Sequence, residues 1–303
     1  MKKLLMIVNP YAGKGRIREK MVDILDLFVK KGYQVEIYIT QEPGDATRVT
    51  AERGPEMDRI ICSGGDGTLD ETVNGLMRIP EERRPVLGYI SAGTTNDFAH
   101  SLDLPREMHE AAHVACGDTV QYIDIGCVNE AQYFCYVYGF GAFTDISYIT
   151  PQNLKKALGH QAYIVEGAKQ VMNLKPIFMR VEANGQVWED YFLCGLVSNS
   201  MQIGGMPGLW GHEISLNDGL FEVTLLRQPM DMAGWGDLAG AFITASDTSD
   251  YKIQFKTDHV RFHALEPVRW VRDGEFGGEH EDVDLRCLRH ALQIAREPVE
   301  EKE

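Results

Sequence analysis

No apolar run in the 303-residue sequence approaches the roughly 18 residues that a membrane-spanning helix needs, so none is expected. No export signal is expected either. The apolar run at residues 4–8 is too short for a signal core and no small-residue cleavage site follows it, so a buried first strand is expected there. The six cysteines, Cys62, Cys116, Cys127, Cys135, Cys194 and Cys287, include no C-x-x-C pair. Without an export signal they read as reduced core residues of a cytoplasmic protein. Basic residues are in deficit, 30 Lys and Arg against 45 Asp and Glu, for a formal charge of −15. That excludes broad nucleic-acid binding and simple electrostatic adsorption to an anionic membrane. Contact with a membrane through a local apolar patch stays open. Repeats and low-complexity linkers are also absent, so two domains would pack closely, with a cleft between them.

What is present fits one long or two ordinary domains: 44% apolar residues and 25% charged. The first part alternates strand and helix signals. Strands are expected at 4–8, 34–39, 59–62 and 86–90, and helices at 16–31, 45–53, 69–77, 96–101 and 106–116. This order predicts an α/β domain with a parallel sheet covered on both faces, with ligands at the carboxyl ends of its strands. From about residue 120 the texture changes. Strand-like runs at 120–128, 132–140, 178–183, 187–198, 219–226, 251–256, 260–264 and 268–271 surround one helical stretch, 154–172. Turn signals such as Asn184-Gly185 separate them. An antiparallel β-rich second domain follows. The expected division is 1–123 and 124–290, with 291–303 packing back on the first domain and its acidic tail fraying.

Three segments of the first domain have the character of phosphate loops, each after an expected strand. The first is Asn9-Pro10-Tyr11-Ala12-Gly13-Lys14-Gly15, where small residues before a helix offer free backbone N–H groups to an anion. It is not a Walker A loop, and a tight strand-to-helix turn explains it equally well. The second is Ser63-Gly64-Gly65-Asp66-Gly67-Thr68, whose glycines let a ligand approach the backbone. A carboxylate there repels phosphate unless a metal bridges them, which points to a Mg²⁺–nucleotide complex. An Asp-Gly turn is the plain alternative. The third runs from Gly93 and Thr94 through Asn96 and Asp97 to Ala99. Helix capping by Asn96 or Asp97 accounts for one of its polar residues but not for the run.

An NPxAG-type loop, GGDGT and GTTNDFA, in this order and spacing, resemble the diacylglycerol kinase catalytic family. GGDG alone also occurs in NAD kinases and phosphofructokinases; the third segment takes the lipid-kinase form. The later segments agree: Asn199 to Pro207, Ser215-Leu216-Asn217-Asp218-Gly219-Leu220-Phe221-Glu222, and Trp270-Val271-Arg272-Asp273-Gly274-Glu275. The resemblance covers residues 4–295 and implies an NAD kinase/phosphofructokinase-like first domain. It implies an ATP-dependent kinase that phosphorylates a lipid hydroxyl, with ATP and Mg²⁺ as cofactors.

Site residues follow from that resemblance. Asn9, Pro10, Ala12, Gly13, Thr40, Gly64, Gly65, Asp66, Gly67, Thr68, Thr94 and Asn96 would cradle the nucleotide. Asp66 would act on the metal at the β- and γ-phosphates. Glu275 would take the hydroxyl proton, with Asp273 beside it; two carboxylates so close raise one pKa if they are partly buried. An Asp-Gly hairpin turn with a surface Glu is the plain alternative. Asp218, with carbonyls of Ser215 and Leu220, would hold a structural Mg²⁺, although Asn217-Asp218-Gly219 forms a turn without one. Asp97 and Asp124 would join a water network near it. The lipid would be presented by a membrane, touched transiently through apolar residues at 204–210 or 229–242, where Trp235 lies. A homodimer is open. An NAD-kinase-like phosphotransferase is the rival, and a non-catalytic lipid- or nucleotide-binding relative a further one. His109-Glu110-Ala111-Ala112-His113 matches the zinc-protease pattern H-E-x-x-H, without the third histidine of the metzincins.

Overall fold

The structure, a computed structural model, describes residues 1–94, 96–141, 175–200, 202–203, 206–207, 214–244 and 249–297. The helix expected at 154–172, residues 204–205 and 208–210 of the apolar segment, Thr95 and the tail beyond residue 297 lie outside the described residues.

Strand β1 (Lys2–Val8) has no solvent face after its first two residues, as its uninterrupted apolar run requires. It pairs in parallel with β2 (Tyr33–Ile39) and β3 (Arg59–Gly64), and β3 pairs in parallel with β4 (Val86–Ser91). The two-residue period of β1 sends its side chains alternately to two cores. Leu4, Met6 and Val8 meet helices α1 (Ile17–Lys30) and α5 (Met108–Ala115) through Ile24, Phe28, Ala111 and Ala112. Leu5 and Ile7 meet α2 (Asp45–Arg53) and α3 (Asp66–Leu76) through Val49, Val73 and Leu76. Short helix α4 (Asp97–Ser101) follows β4.

The rest is antiparallel. It comprises β5 (Val120–Val128), β6 (Gln132–Phe134), β7 (Val137–Gly141), β8 (Ile177–Ala183), β9 (Gln186–Ser198), a small hairpin β10 (Gln202–Ile203) and β11 (Met206–Pro207), β12 (Phe221–Arg227), helix α6 (Met232–Thr244), β13 (Lys252–Thr257), β14 (His259–Arg272) and β15 (Glu275–Ala295). The strand order β13-β12-β9-β7-β14-β15-β4-β3-β1-β2 makes one sheet, because β15 pairs antiparallel with β14 and β5 and then in parallel with β4 at Ile294 and Leu87. An aromatic cluster backs the β14–β15 hairpin: Trp270 stacks on Tyr138 at 5.1 Å and meets Phe140 and Phe262 edge-on at 5.0 and 5.3 Å. Among the described residues no helix is long and apolar enough to cross a membrane.

Several elements differ from the sequence reading for identifiable reasons. The run at 132–140 divides at Cys135 and Tyr136, whose N–H groups donate to the Asp273 carboxylate instead of to a neighbouring strand. The two short runs at 260–264 and 268–271 are one strand whose register shifts around Pro267, which has no N–H to give. Helix α6 and the long β15 carry no clean period in sequence. Strand β15 exposes charged residues along most of its length and is bulged between Leu288 and Leu292. Helix α3 begins at Asp66 rather than residue 69, after extended Gly65, so Asp66 sits in a helix first turn where its charge suits the dipole.

Buried Asp45 fixes the start of α2. Its Oδ2 accepts the N–H groups of Gln41 at 2.8 Å and Glu42 at 3.3 Å, and its Oδ1 pairs with Arg48 at 2.8 Å. The Gln41 N–H, then the Arg48 guanidinium, lower its pKa from 3.8 to about 2. A lowered folded pKa gives stability that is present above the unfolded value and lost as pH falls toward the folded one. Asp45→Asn should therefore melt at lower temperature than the unaltered protein near neutral pH, and the gap should close between pH 3.8 and about 2, read by circular dichroism.

Candidate active site

The parallel strands β1, β3 and β4 end on the same edge, so the three glycine-bearing loops meet there. Asn9 ties the first to the second: its Nδ2 donates to Thr68 Oγ1 at 3.1 Å and its backbone N–H to the Ser63 carbonyl at 2.9 Å. Its own Oδ1 accepts the Tyr11 N–H at 3.0 Å, which turns the chain at Pro10. Gly13 has φ +57° and lies so close to the third loop that a Cβ would overlap the Ala92 carbonyl oxygen. The second and third loops approach closely through their glycine backbones, since a Cβ on Gly93 would stand 2.8 Å from Gly65 Cα. Thr40, at the end of β2, gives both its N–H and its hydroxyl to the Val8 carbonyl at 2.9 and 3.3 Å. Thr94 is exposed. Asn96 occupies the position before α4 in the left-handed region, but its Nδ2 turns back to the Gly93 carbonyl at 3.0 Å and caps nothing.

The Asp273-Gly274 pair, with φ +47° and +84°, makes the tight turn between β14 and β15. This turn is not an exposed one at Asp273, which is 2% exposed. The Asp273 carboxylate accepts three N–H groups, from Cys135 at 2.6 Å, Tyr136 at 3.0 Å and Val137 at 2.9 Å. The Tyr136 hydroxyl donates to its carbonyl at 2.8 Å. Glu275, the first residue of β15, is exposed and reaches over the first turn of α3, where a Cβ on Gly67 would stand 3.3 Å from its Oε1. The hairpin thus places Glu275 against the loop that carries Asp66.

Four carboxylates share this region. Burial pushes Asp66 up to about 6, with the Asp97 charge adding and the N–H groups of Asp97 and Asn96 opposing. Burial also raises Asp70, with Asp273 adding and Arg272 opposing. Asp273 is raised by burial and held back by its three N–H donors. Asp97 is buried at the start of α4. Asp66 Oδ1 and Asn96 Oδ1 are buried without a hydrogen-bond partner. A buried orphan carboxylate oxygen among like charges fits a divalent cation. A Mg²⁺ ion that is shared with nucleotide phosphates and water needs only one or two protein carboxylates.

The residues assigned to a structural Mg²⁺ lie elsewhere. The contacts described for Ser215, Asp218 and Leu220 are with Asn217, Lys256 and one another, not with the three loops. Asp218 Oδ1 accepts the Leu220 N–H at 3.0 Å, and its Oδ2 faces Lys256 Nζ at 3.3 Å. Lys256 also pairs with buried Glu222 at 2.8 Å. Asp124, fully buried, fastens this loop: its Oδ2 accepts the Gly219 N–H at 2.6 Å and its Oδ1 the His290 N–H at 2.7 Å. His109 and His113 stand ring to ring at 5.0 Å on the exposed face of α5. Among the described residues no group of three or more His, Cys, Asp or Glu side chains is placed to hold a metal.

Residues that the sequence reading passed over include Asp70, Asn74 and Arg272. Asp70 is one turn beyond Asp66 and therefore on the same helix face, and Arg272 precedes the hairpin turn directly; both positions were visible as spacings.

The sequence profile of the diacylglycerol kinase catalytic domain matches residues 3–128. Over 293 residues the chain is 35% identical to a protein of Bacillus subtilis (strain 168) named diacylglycerol kinase, covering 96% of this chain and 95% of that one. A protein of the same name from Staphylococcus haemolyticus (strain JCSC1435) is 32% identical over 291 residues, 94% of this chain and 86% of its own. A crystal structure named for a diacylglycerol kinase of Bacillus anthracis str. Sterne aligns with a TM-score of 0.81 at 26% identity, covering 98% of this chain and 96% of that one. The chain belongs to the diacylglycerol kinase catalytic family and is an enzyme of the lipid-kinase class.

The Asp218 carboxylate already faces the Lys256 ammonium at 3.3 Å. Lys256→Met should lower the melting temperature in chelator by several degrees, because it leaves Glu222 buried without its counter-ion. Added Mg²⁺ should then raise the melting temperature of the variant more than that of the unaltered protein. Equal Mg²⁺ shifts would show that lysine and metal do not compete for Asp218.

Proposed function

We propose that the chain transfers the γ-phosphate of ATP to a hydroxyl of a diacylglycerol-like lipid. The observation that carries this is Glu275 held against the first turn of α3, next to the loops that would cradle the nucleotide. The backbone of Asn9, Pro10, Ala12 and Gly13, of Gly64 to Thr68, and of Thr94 and Asn96 would surround the triphosphate, and Thr40, just after β2, would contact the adenosine. Mg²⁺, when bound, neutralises charge on the β- and γ-phosphates. Asp66, whose Oδ1 is buried without a partner, would hold that cation. Glu275 accepts the proton of the lipid hydroxyl while the hydroxyl oxygen bonds to the γ-phosphorus. The bond from that phosphorus to the bridging oxygen breaks, and ADP leaves. Asp273 keeps the hairpin turn in place through its three N–H donors.

The formal charge of −15 disfavours adsorption by charge, so the lipid is reached by local apolar contact. Met230 and Met232, 92% and 77% exposed at the entry of α6, are suited to a transient seat on a membrane surface. The Ser215, Asp218 and Leu220 loop is read as a secondary, structural Mg²⁺ site in competition with Lys256.

Glu275→Gln should keep nucleotide binding while kcat falls by roughly 10²–10⁴-fold, the usual worth of a general base. Calorimetry with a non-hydrolysable ATP analogue and ³²P transfer into lipid would read the two quantities. The transfer panel should contain diacylglycerol, phosphatidylglycerol, sphingosine and NAD in mixed micelles, with Asp66→Ala as the inactive control. Label in diacylglycerol alone supports the reading. Label in NAD alone overturns it, and label nowhere makes the chain a binding relative.

A further inference from the structure

We propose that Asp70 and Arg272 are positioning residues that set where Glu275 stands over the first turn of α3. This rests on the reading of Glu275 as the base. The two side chains belong to a closed ring of hydrogen bonds that joins three elements. Arg272, the last residue of β14, donates from Nη2 to Asp70 Oδ2 at 2.9 Å and from Nη1 to Gln132 Oε1 at 3.1 Å. Asp70 Oδ1 accepts Asn74 Nδ2 at 3.1 Å, one turn further along α3. The Asn74 amide closes the ring on β6, accepting the Tyr133 N–H at 3.0 Å and donating to the Tyr133 carbonyl at 3.0 Å.

The ring sits at the base of the hairpin that carries Glu275. Arg272 and Glu275 face each other across the Asp273-Gly274 turn as a ladder pair, so a shift of Arg272 is a shift of Glu275. At the other end, Asp70 lies four residues after Asp66 on α3 and moves with it. The Asp70–Arg272 bond is thus a fixed strut between the element that carries the base and the helix that carries the metal-binding carboxylate. It is also well shielded, with side-chain exposures of 5% and 17%, so water does not compete strongly for it. Arginine suits this place because its planar fork bonds Asp70 and Gln132 together, which a lysine ammonium on a flexible stem does not reproduce. Glu275 is exposed and has no comparable clamp of its own among the described contacts.

The experiment compares Arg272→Met, Arg272→Lys and the double variant Asp70→Leu with Arg272→Met, each also in a Glu275→Gln background. Turnover is read on the acceptor that the lipid panel labels best. The double variant is central, because removing both charges together leaves no unpaired buried ion and keeps the fold, checked by its melting curve. The expected result is a kcat lower by roughly 10–100-fold in all three, with the KM for nucleotide within about twofold, since a displacement near 1 Å is worth that much. In the Glu275→Gln background the same changes should cost nothing further. A further loss in that background, or an unchanged kcat in the well-folded double variant, would overturn the positioning role. If Glu275→Gln itself turns over normally, the base assignment fails and the positioning role falls with it. A dead Glu275→Gln beside a fully active double variant would reject the strut alone and leave the base in place.

Discussion

The structure depends on a concentration of negative charge. Asp66, Asp70, Asp97 and Asp273 influence one another at the meeting of α3, α4 and the β14–β15 turn, and burial penalises the ionised form of three of them. Asp70, Asp97 and Asp273 are buried, so their charge must be balanced by fixed partners. Three backbone N–H groups serve Asp273 and the Arg272 guanidinium serves Asp70. Asp66 keeps one buried oxygen with no partner. The imbalance is concentrated on Asp66, within the second glycine loop, where the proposed Mg²⁺ would meet the least competition from the protein.

The same economy of partners shapes the backbone around the site. Cys135 and Tyr136 leave the strand ladder because their N–H groups are turned to Asp273, and this splits what sequence presents as one strand into β6 and β7. Helix α3 is held at both ends. Its first turn lies beneath Glu275, and the carbonyl of its last residue, Leu76, is met by Arg84, which also donates to the carbonyls of Ile79 and Ala291. The helix is thereby tied at its far end to β15, the strand that begins with Glu275.

Much of the first part was legible in sequence because its elements are short-period and strongly patterned. The apolar runs at 4–8, 59–62 and 86–90 could only be strands buried on both faces, and the helix at 45–53 has the bounds that composition suggested. The loops were legible because small residues gather after each of β1, β3 and β4 in the sequence. What sequence hid were long-range choices. Strand β15 looks like a charged surface segment, and only its partners on both sides make it a strand. Asp70 and Arg272 are separated by 202 residues, and nothing local marks them as a pair. The Asp-Gly of the hairpin reads as a solvent turn, yet the aromatic wall around Trp270 and the N–H groups of residues 135–137 bury its aspartate.

Strand β15 closes the sheet with nearly the last residues of the described chain. The free edge of β4 is met at Leu87 only by Ile294. During synthesis β1 to β4 emerge first and can pair among themselves, but the outer edge of β4 stays open until some 200 further residues have been made. A sheet of this order has high contact order, and its first half waits with an exposed edge for β15. Completion of the fold is therefore coupled to synthesis of β15, some 200 residues after β4.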